Sequence, residues 1–348
     1  MFKNNNGMDI YIKSSEAITA QDTFNKTDIF SDTVLHEDNY YKCVSPEFRE
    51  YIDAKLLRRM SKILKISLTT AVSCLNKANV LQPDAIIVGT GLGCVEDTAK
   101  FLIQIAENNE QLLNPTPFIQ STHNTISGQL ALLIKCKNYN LTFTQKALSY
   151  ETALIDALMF LKDNKDVNVL VGGTDEINEE VYELLKNADC EKNNRQKTKF
   201  GEGATFFVLS NCKTDDYKVR LKDVLIMNSI NRIDDLNEKI NELLKKNNLS
   251  LNDIDFIVSG SDNSENDNIY DEFYKQFADS SIVKYKHLIG EYDTASGFGM
   301  FLANNIIENN KIPEPLIHIN KNKNKYQRGI AFNFTKNKDC SVLLMEKC

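Results

Sequence analysis

The stretch from residue 140 to 176 constrains the fold more than any other part of this 348-residue chain. It contains a short strand at 141–144, an apolar helix, and a second apolar strand at 167–171 that ends in Gly172-Gly173-Thr174-Asp175-Glu176. Apolar residues recur in the helix at intervals of three, four and seven, with further apolar residues between them. The pattern therefore predicts a helix that is buried on most sides, between two strands of an α/β core.

The N-terminus of this predicted helix is a natural place for a reactive group. A helix N-terminus favours the thiolate form of a cysteine, which makes the sulfur a better nucleophile. The sequence has Ala147 at this point. Glu151, one turn further on, would compete with an anionic nucleophile for the positive end of the helix dipole.

Composition excludes several classes of partner. The formal charge is −7, from 41 Lys and Arg against 48 Asp and Glu, so the sequence predicts neither a nucleic acid partner nor binding to an acidic membrane surface. No apolar run is long enough to span a membrane. The eight cysteines have no zinc-site spacing, the N-terminus lacks the apolar core of a signal peptide, and we therefore expect free thiols in the cytoplasm, with neither metal nor cofactor.

One glycine-rich run could be read as a dinucleotide-binding loop. Gly89-Thr90-Gly91-Leu92-Gly93-Cys94 follows a predicted strand at 85–88. However, Cys94 stands where the fingerprint requires its third glycine, and the next helix opens with Glu96 and Asp97, which would repel a phosphate. The run instead predicts a sharp turn from strand to helix.

Strands alternate with helices in both halves of the chain, and each half ends in adjacent strands. The first half includes a continuous helix predicted from residue 53 to 77, and the second half begins with a strand at 219–226. This alternation predicts a duplicated α/β fold. We expect an N-terminal half of residues 1–212 and a C-terminal half of residues 213–348, joined in one integral unit.

Several segments together resemble the β-ketoacyl synthases of the thiolase-like superfamily over nearly the whole chain. The family's turn after the nucleophile helix is similar to residues 172–176, and its Glu-Gly-Ala strand is similar to residues 202–209. Its His-Gly-Thr-Gly-Thr loop with a following Asn-Asp resembles residues 259–263 with Asn266-Asp267, and its Lys-x-x-x-Gly-His run resembles residues 286–297. The resemblance implies a thiolase-like layered fold of the type α/β/α/β/α.

The same resemblance implies that the catalytic residues of the family have been replaced. The family's nucleophilic cysteine falls on Ala147, its two histidines fall on Ser259 and Glu291, and only the lysine is retained, as Lys286. Such enzymes use the cysteine to accept an acyl group from a carrier protein, and the histidines to stabilise the enolate formed on decarboxylation. We therefore expect an acyltransferase fold that has no catalytic activity by itself.

A synthase fold without its nucleophile is known in this family as a chain-length-factor-type subunit. The resemblance implies a protein that pairs with an active β-ketoacyl synthase, works with an acyl carrier protein, and shapes the acyl tunnel in fatty-acid, polyketide or aryl-polyene synthesis. Two alternatives stay open: a synthase or malonyl decarboxylase with an altered active site, and a non-catalytic acyl-binding scaffold. A homodimer is also compatible with the sequence. The residues expected at the interface or tunnel are Phe118, Thr122, Thr125 and Glu151.

Overall fold

The computed structural model describes residues 9–34, 36, 39–190, 199–214, 216–261 and 267–348. Its strands are β1 Ile10–Ile18, β2 Ala85–Gly89, β3 Tyr139–Phe143, β4 Asn168–Asp175, β5 Gly203–Ser210, β6 Val219–Met227, β7 Phe256–Ser259, β8 Ser281–Lys284, β9 Ile317–Ile319, β10 Arg328–Phe334 and β11 Cys340–Lys347. Its helices are α1 Ala54–Leu57, α2 Lys62–Lys77, α3 Val95–Glu107, α4 Pro115–Gln120, α5 Thr125–Leu133, α6 Ser149–Asp163, α7 Glu179–Cys190, α8 Ile233–Lys246, α9 Asp267–Gln276, α10 Lys286–Ile289 and α11 Ala295–Asn309.

The strand order shows that the fold is duplicated. The strands follow one another in the order β3-β2-β4-β5-β1-β6-β11-β10-β7-β8-β9. In the first half, β2 pairs in parallel with β3 and β4, and β5 pairs antiparallel with β4 and β1. In the second half, β7 pairs in parallel with β8 and β10, and β11 pairs antiparallel with β10 and β6. The halves join where β1 pairs with β6.

Three apolar clusters separate the layers of the fold. The central cluster contains side chains of α6 and α11 together with the facing sides of strands from both halves. A second cluster packs α2 and α5 on the outer face of the first half, and a third packs α8 and α9 on the outer face of the second. This arrangement confirms the predicted duplicated α/β/α/β/α fold.

The continuous helix predicted over residues 53–77 is wrong. The structure has the short helix α1, a break at residues 58–61, and then α2. Ser61 has an extended backbone, with φ −66° and ψ 170°, and starts a new helix as the N-cap of α2. The apolar spacing continues across the break, because Leu57 and Met60 pack, partly buried, against the same cluster as α2, so periodicity alone could not locate it.

Helix α6 begins later than predicted, and one of its faces is exposed although the sequence predicts a helix buried on most sides. It begins at Ser149, after a 3-10 turn at Lys146–Leu148. Its buried face includes Ala153, Leu154 and Ala157, whereas Met159 on the other face is 43% exposed. The helix buried on every side is α11, in which each residue from Ala295 to Ile307 is buried. Met159 therefore lies on an exposed face of α6, whereas Leu158 and Phe160 pack partly buried against the central cluster.

Candidate functional site

A pocket of about 280 Å³ opens at one edge of the sheet, where parallel strands end. Asp175 ends β4, Gly260 follows β7, and Asn333 is the last residue but one of β10, and all three line the pocket. Ligand sites of open α/β sheets lie at the carboxyl ends of the strands. Since Ala147, Lys286 and Glu291 also line this pocket, the structure brings together three of the four residues that are predicted to stand at catalytic positions of the synthases.

The predicted nucleophile position has no nucleophile. Ala147 lies in the 3-10 turn before α6, and Lys146 before it has a left-handed backbone with φ 50°. The hydroxyl of Ser149 accepts a hydrogen bond from the Gln145 N–H at 2.7 Å and is buried. None of the seven cysteines whose side chains are described lines the pocket.

Lys286 forms an ion pair with Glu291, the residue that is predicted to stand at a histidine position of the synthases. Lys286 Nζ lies 2.5 Å from Glu291 Oε2 and donates to Asn333 Oδ1 at 3.0 Å. The Lys286 side chain is 5% exposed and that of Glu291 is 23% exposed. The positive charge of Lys286 is therefore compensated within the protein.

Ser259, which is predicted to stand at the position of the other histidine, does not line the pocket. Its hydroxyl lies 2.5 Å from the hydroxyl of Tyr274, and both groups are buried. Ser259 is not among the residues that line the pocket, although Gly260 is. The remainder of the predicted loop motif, residues 262–266, lies outside the described residues.

Asp175 holds the two halves together beside the pocket. Its Oδ1 accepts hydrogen bonds from Thr90 Oγ1 at 3.0 Å and Gly91 N at 2.7 Å. Its Oδ2 accepts from the N–H and the hydroxyl of Thr294, each at 2.8 Å. Burial raises the pKa of Asp175, and these four donors lower it. Thr294 precedes α11, so the carboxylate joins β4 and the turn after β2 to the second half.

Two further acidic side chains of the pocket titrate near neutral pH. Burial, followed by the charges of Asp175 and Glu291, raises the pKa of Asp293 to about 7. Burial also raises the pKa of Glu176 to about 7. Glu176 accepts hydrogen bonds from Glu96 N in α3 and Ile63 N in α2, so this carboxyl group occupies the N-terminal turn that follows the glycine-rich run.

The predicted interface residues fall into two environments. Phe118 is 55% exposed on α4, and its ring lies 5.1 Å from that of Phe101. Thr122 is exposed, and its hydroxyl lies 2.9 Å from that of the buried Thr125. Glu151 is fully buried, and its Oε1 accepts from Ser341 Oγ at 2.7 Å. Because Glu151 is buried, its side chain cannot lie on a surface that contacts a partner subunit. Its place in a buried acyl tunnel stays a prediction.

The first half ends at an open sheet edge with exposed apolar side chains around it. Strand β3 is the first strand of the sheet and pairs with β2 on one side. On or near β3, the side chains of Leu132, Tyr139, Leu141 and Met159 are 73%, 39%, 40% and 43% exposed. Ile119, next to Phe118 on α4, is 62% exposed. Exposed apolar groups beside a sheet edge are typical of a surface that another chain covers.

The described part of the chain contains neither a cluster of metal-ligating side chains nor a membrane-spanning helix. Its His, Cys, Asp and Glu side chains form no group of three or more that could hold a metal ion. None of its helices combines the length and the apolar character that crossing a membrane requires.

Sequence reasoning missed three polar residues of the pocket: Asp175, Asp293 and Asn333. Each makes its main contacts across long sequence distances, such as the 119 residues between Asp175 and Thr294. A signal for Asp293 existed, since it lies two residues after Glu291, in the segment that resembles the family's lysine and histidine run.

Comparison with known proteins assigns the family. A family model described as the N-terminal domain of β-ketoacyl synthases matches residues 40–228, more than half of the chain. No curated protein sequence matches significantly.

Solved structures similar to the chain extend the match over its full length. The ishigamide ketosynthase/chain length factor has a TM-score of 0.78 at 15% identity, over 99% of this chain and 100% of that one. A type II polyketide synthase acyl-carrier protein in complex with its ketosynthase gives 0.77 at 14%, over 98% and 100%. A ketosynthase in complex with its chain length factor from Xenorhabdus doucetiae gives 0.76 at 14%, over all of both chains. Together with the duplicated strand order and the pocket at the strand ends, these matches show that the chain belongs to the β-ketoacyl synthase family and has its thiolase-like fold.

Proposed function

We propose that this chain is a non-catalytic, chain-length-factor-type subunit that pairs with an active β-ketoacyl synthase and shapes the tunnel for the growing acyl chain. The observation that carries the proposal is the lining of the pocket, where Ala147 stands at the position inferred for the nucleophile and Glu291, paired with Lys286, at a position inferred for a histidine. A methyl group cannot attack a thioester, and a carboxylate paired with an ammonium group cannot act as a neutral imidazole donor. The pathway would be fatty-acid, polyketide or aryl-polyene synthesis.

The partner synthase would bind the face around β3. Among the described strands this edge strand pairs only with β2, and the exposed side chains of Leu141 on it and of Leu132 and Met159 near it supply apolar contact area. Phe118 and Thr122 lie on the connection between β2 and β3, on the same half of the molecule. Two of the similar structures come from work on a ketosynthase together with a chain length factor, which is the arrangement proposed here.

Co-expression with an active synthase tests this pairing, with the complex measured by size-exclusion chromatography and light scattering. Leu141→Asp on β3 should abolish the heterodimer, because it places a charge in an apolar interface. Ile319→Asp is the matched control, since Ile319 lies on the opposite edge strand β9 and is 37% exposed, against 40% for Leu141. A stable homodimer that ignores every such synthase, or a complex that survives Leu141→Asp, would contradict the proposal.

An acyl carrier protein would approach over a basic surface groove of about 360 Å³. Arg49, Arg58 and Lys65 line this groove with a single acidic side chain, Glu47. The groove lies near the pocket, because Lys65 belongs to α2, whose Ile63 N–H donates to the pocket residue Glu176. Basic side chains of this kind attract an acidic partner and strengthen the encounter at low salt.

Binding of a fluorescent acyl carrier protein at low and physiological salt tests this surface. The double change Arg58→Glu and Lys65→Glu should weaken binding to the heterodimer at least about tenfold, with most of the loss at low salt. The double change Lys239→Glu and Lys245→Glu on α8, in the other half of the chain, is the control because it alters the net charge by the same amount. Equal binding by the altered and control proteins would exclude the groove as the docking site.

The two remaining hypotheses are tested on the isolated chain. A synthase or decarboxylase with altered chemistry predicts an acylated protein or released CO₂ when the chain is incubated with acyl- and malonyl-carrier protein. A scaffold that acts outside any synthase complex predicts acyl-carrier binding without a partner synthase. The proposed function predicts that the isolated chain is not acylated and releases no CO₂. It also predicts that the chain acts only together with its partner synthase.

A further inference from the structure

The amine of Lys286 lies against the side-chain amide of Asn333. Its Nζ donates a hydrogen bond to Asn333 Oδ1 at 3.0 Å. Since a carbonyl bond is about 1.2 Å long, Nζ lies within about 4 Å of the carbonyl carbon Cγ. Two reacting atoms are in a near-attack arrangement when they lie about 3 to 3.5 Å apart. The lysine nitrogen therefore needs to move by less than about 1 Å to reach this carbon.

Both side chains are held by ordered elements of the fold. Asn333 is 6% exposed and belongs to β10, where it is paired with Ser341 of β11. Lys286 begins α10, two residues after β8, and its side chain is 5% exposed. Gly260 packs closely on the amide, since a Cβ at this position would lie 2.4 Å from Asn333 Oδ1. The amine and the amide are therefore confined against each other.

Glu291 supplies the base that a reaction between these two groups requires. An ammonium group has no free electron pair, so the lysine becomes a nucleophile only after it loses a proton. Glu291 Oε2 lies 2.5 Å from Lys286 Nζ, close enough to accept that proton. Glu291 and Asn333 also line the pocket, and Glu291 is 23% exposed, so a small leaving group has a way out to solvent.

We propose that Lys286 and Asn333 form an intramolecular amide bond, with Glu291 as the group that transfers the protons. The bond joins α10 to β10 and closes a loop between residues 47 positions apart. The inference goes beyond the proposed pairing, since it concerns covalent chemistry within this chain and holds with or without a synthase partner.

The step balances without a further reactant. Glu291 takes one proton from the ammonium group, and the amine nitrogen then attacks Asn333 Cγ. The bond from Nζ to Cγ forms, and the bond from Cγ to Nδ2 breaks. The leaving nitrogen takes one proton from the attacking amine and one from Glu291. Ammonium is released, and the carboxylate of Glu291 is restored.

Intact-mass spectrometry of the purified and denatured full chain tests the proposal. The wild-type chain should weigh about 17 Da less than its sequence requires, the mass of one ammonia molecule. Trypsin should leave Lys286 uncleaved, in a branched peptide that contains Asn333. Asn333→Asp should lose about 18 Da instead, because water is then the leaving group. Glu291→Gln has a similar shape but cannot accept the proton, so it should keep its full mass.

Two controls make the test specific. Glu272→Gln should retain the loss of mass, since Glu272 lies at the same 2.5 Å from a lysine, but on the exposed surface of α9. Lys286→Arg should keep its full mass, whereas cyclisation of Asn333 onto its own backbone would also remove about 17 Da and would persist in this variant. Circular dichroism checks that each variant folds, and Glu291→Ala is used if Glu291→Gln does not.

Four results would overturn the proposal. They are a wild-type chain of full mass, a loss that persists in Lys286→Arg, a loss that persists in a folded Glu291 variant, and a wild-type loss of about 18 Da, which would indicate an amide between Lys286 and Glu291. Loss of the heterodimer with the cross-link intact would overturn only the proposed pairing.

Discussion

Replacing Asp293 with asparagine should remove a large part of the pH dependence of stability between pH 4 and pH 7. Burial, then the neighbouring carboxylates of Asp175 and Glu291, raises the pKa of Asp293 from 3.8 to about 7, and Lys146 and Lys286 act in the opposite direction. In the unfolded chain an aspartate has a pKa of about 3.9. Between these two values the folded protein binds one proton more than the unfolded chain.

The sign and size of the effect follow from this difference. The stabilisation that protonated Asp293 provides is fully present below about pH 4 and is lost as the pH rises through about 7. Each pKa unit corresponds to about 1.4 kcal/mol, so the three-unit shift corresponds to about 4 kcal/mol. Asparagine has nearly the same shape and does not ionise, so the free energy of unfolding of Asp293→Asn should gain about 3 kcal/mol relative to wild type between pH 4.5 and pH 8.

Urea unfolding followed by circular dichroism at half-unit pH steps measures this difference. Asp234→Asn is the control, because Asp234 is 77% exposed on α8 and its curve should run parallel to that of wild type. Glu176 contributes a pH dependence of the same sign to all three proteins, since its pKa is also raised to about 7. Parallel curves for wild type and Asp293→Asn would refute the reasoning, because they would mean that Asp293 ionises equally in both states.

Three further substitutions probe the same region. Asp175→Ala should lower the free energy of unfolding, measured by urea denaturation, by about 3 to 5 kcal/mol. The reason is that four buried donors of Thr90, Gly91 and Thr294 lose their acceptor. A loss below about 1 kcal/mol would contradict this role of Asp175. Gly91→Ala would place a Cβ 1.9 Å from Asp293 Oδ2 and 2.4 Å from Asp293 Cβ, and it should cost about 1 to 3 kcal/mol, with a clearly smaller cost in an Asp293→Gly background; equal costs in both backgrounds would exclude the clash. Ala147→Cys should introduce a thiol that iodoacetamide labels in the pocket without restoring condensation, and a 3-ketoacyl product in a mass spectrum would show that the missing histidines are dispensable.

Much of the fold could be predicted because its signals are local. The helix after residue 147, the strand at 167–171 and the alternation in both halves appear at nearly the predicted places. The break before Ser61 could not be predicted, since it changes the backbone direction without changing the apolar spacing. The exposed face of α6 was missed for a related reason, because apolar residues that cover a core and apolar residues of an open face have the same periodicity.

The sequence predicted those residues of the candidate site that belong to recognisable motifs. It did not predict the residues whose role depends on contacts between distant parts of the chain. Ala147, Lys286 and Glu291 come together around one pocket, as the resemblance to the synthases implies. Ser259 instead bonds to Tyr274, a contact that no local pattern could indicate. The raised pKa of Asp293 depends on burial and on Asp175, a residue of the other half, so it requires the folded arrangement.

The contacts at this site stabilise the fold without a cysteine at position 147 or a histidine at position 291. Asp175 in β4 bonds to Thr294 before α11, and Glu151 in α6 bonds to Ser341 in β11, so buried polar groups join the two halves on either side of the helix that would carry a nucleophile. Burial raises the pKa of Glu151, and the hydroxyl of Ser341 lowers it, which makes this carboxyl group costly to bury without its partner. None of these contacts requires a thiol at Ala147 or an imidazole at Glu291. The polar residues that join the two halves therefore stabilise the fold, and their presence near the pocket is no evidence of catalysis. Catalytic activity has to be tested at Ala147, Ser259 and Glu291.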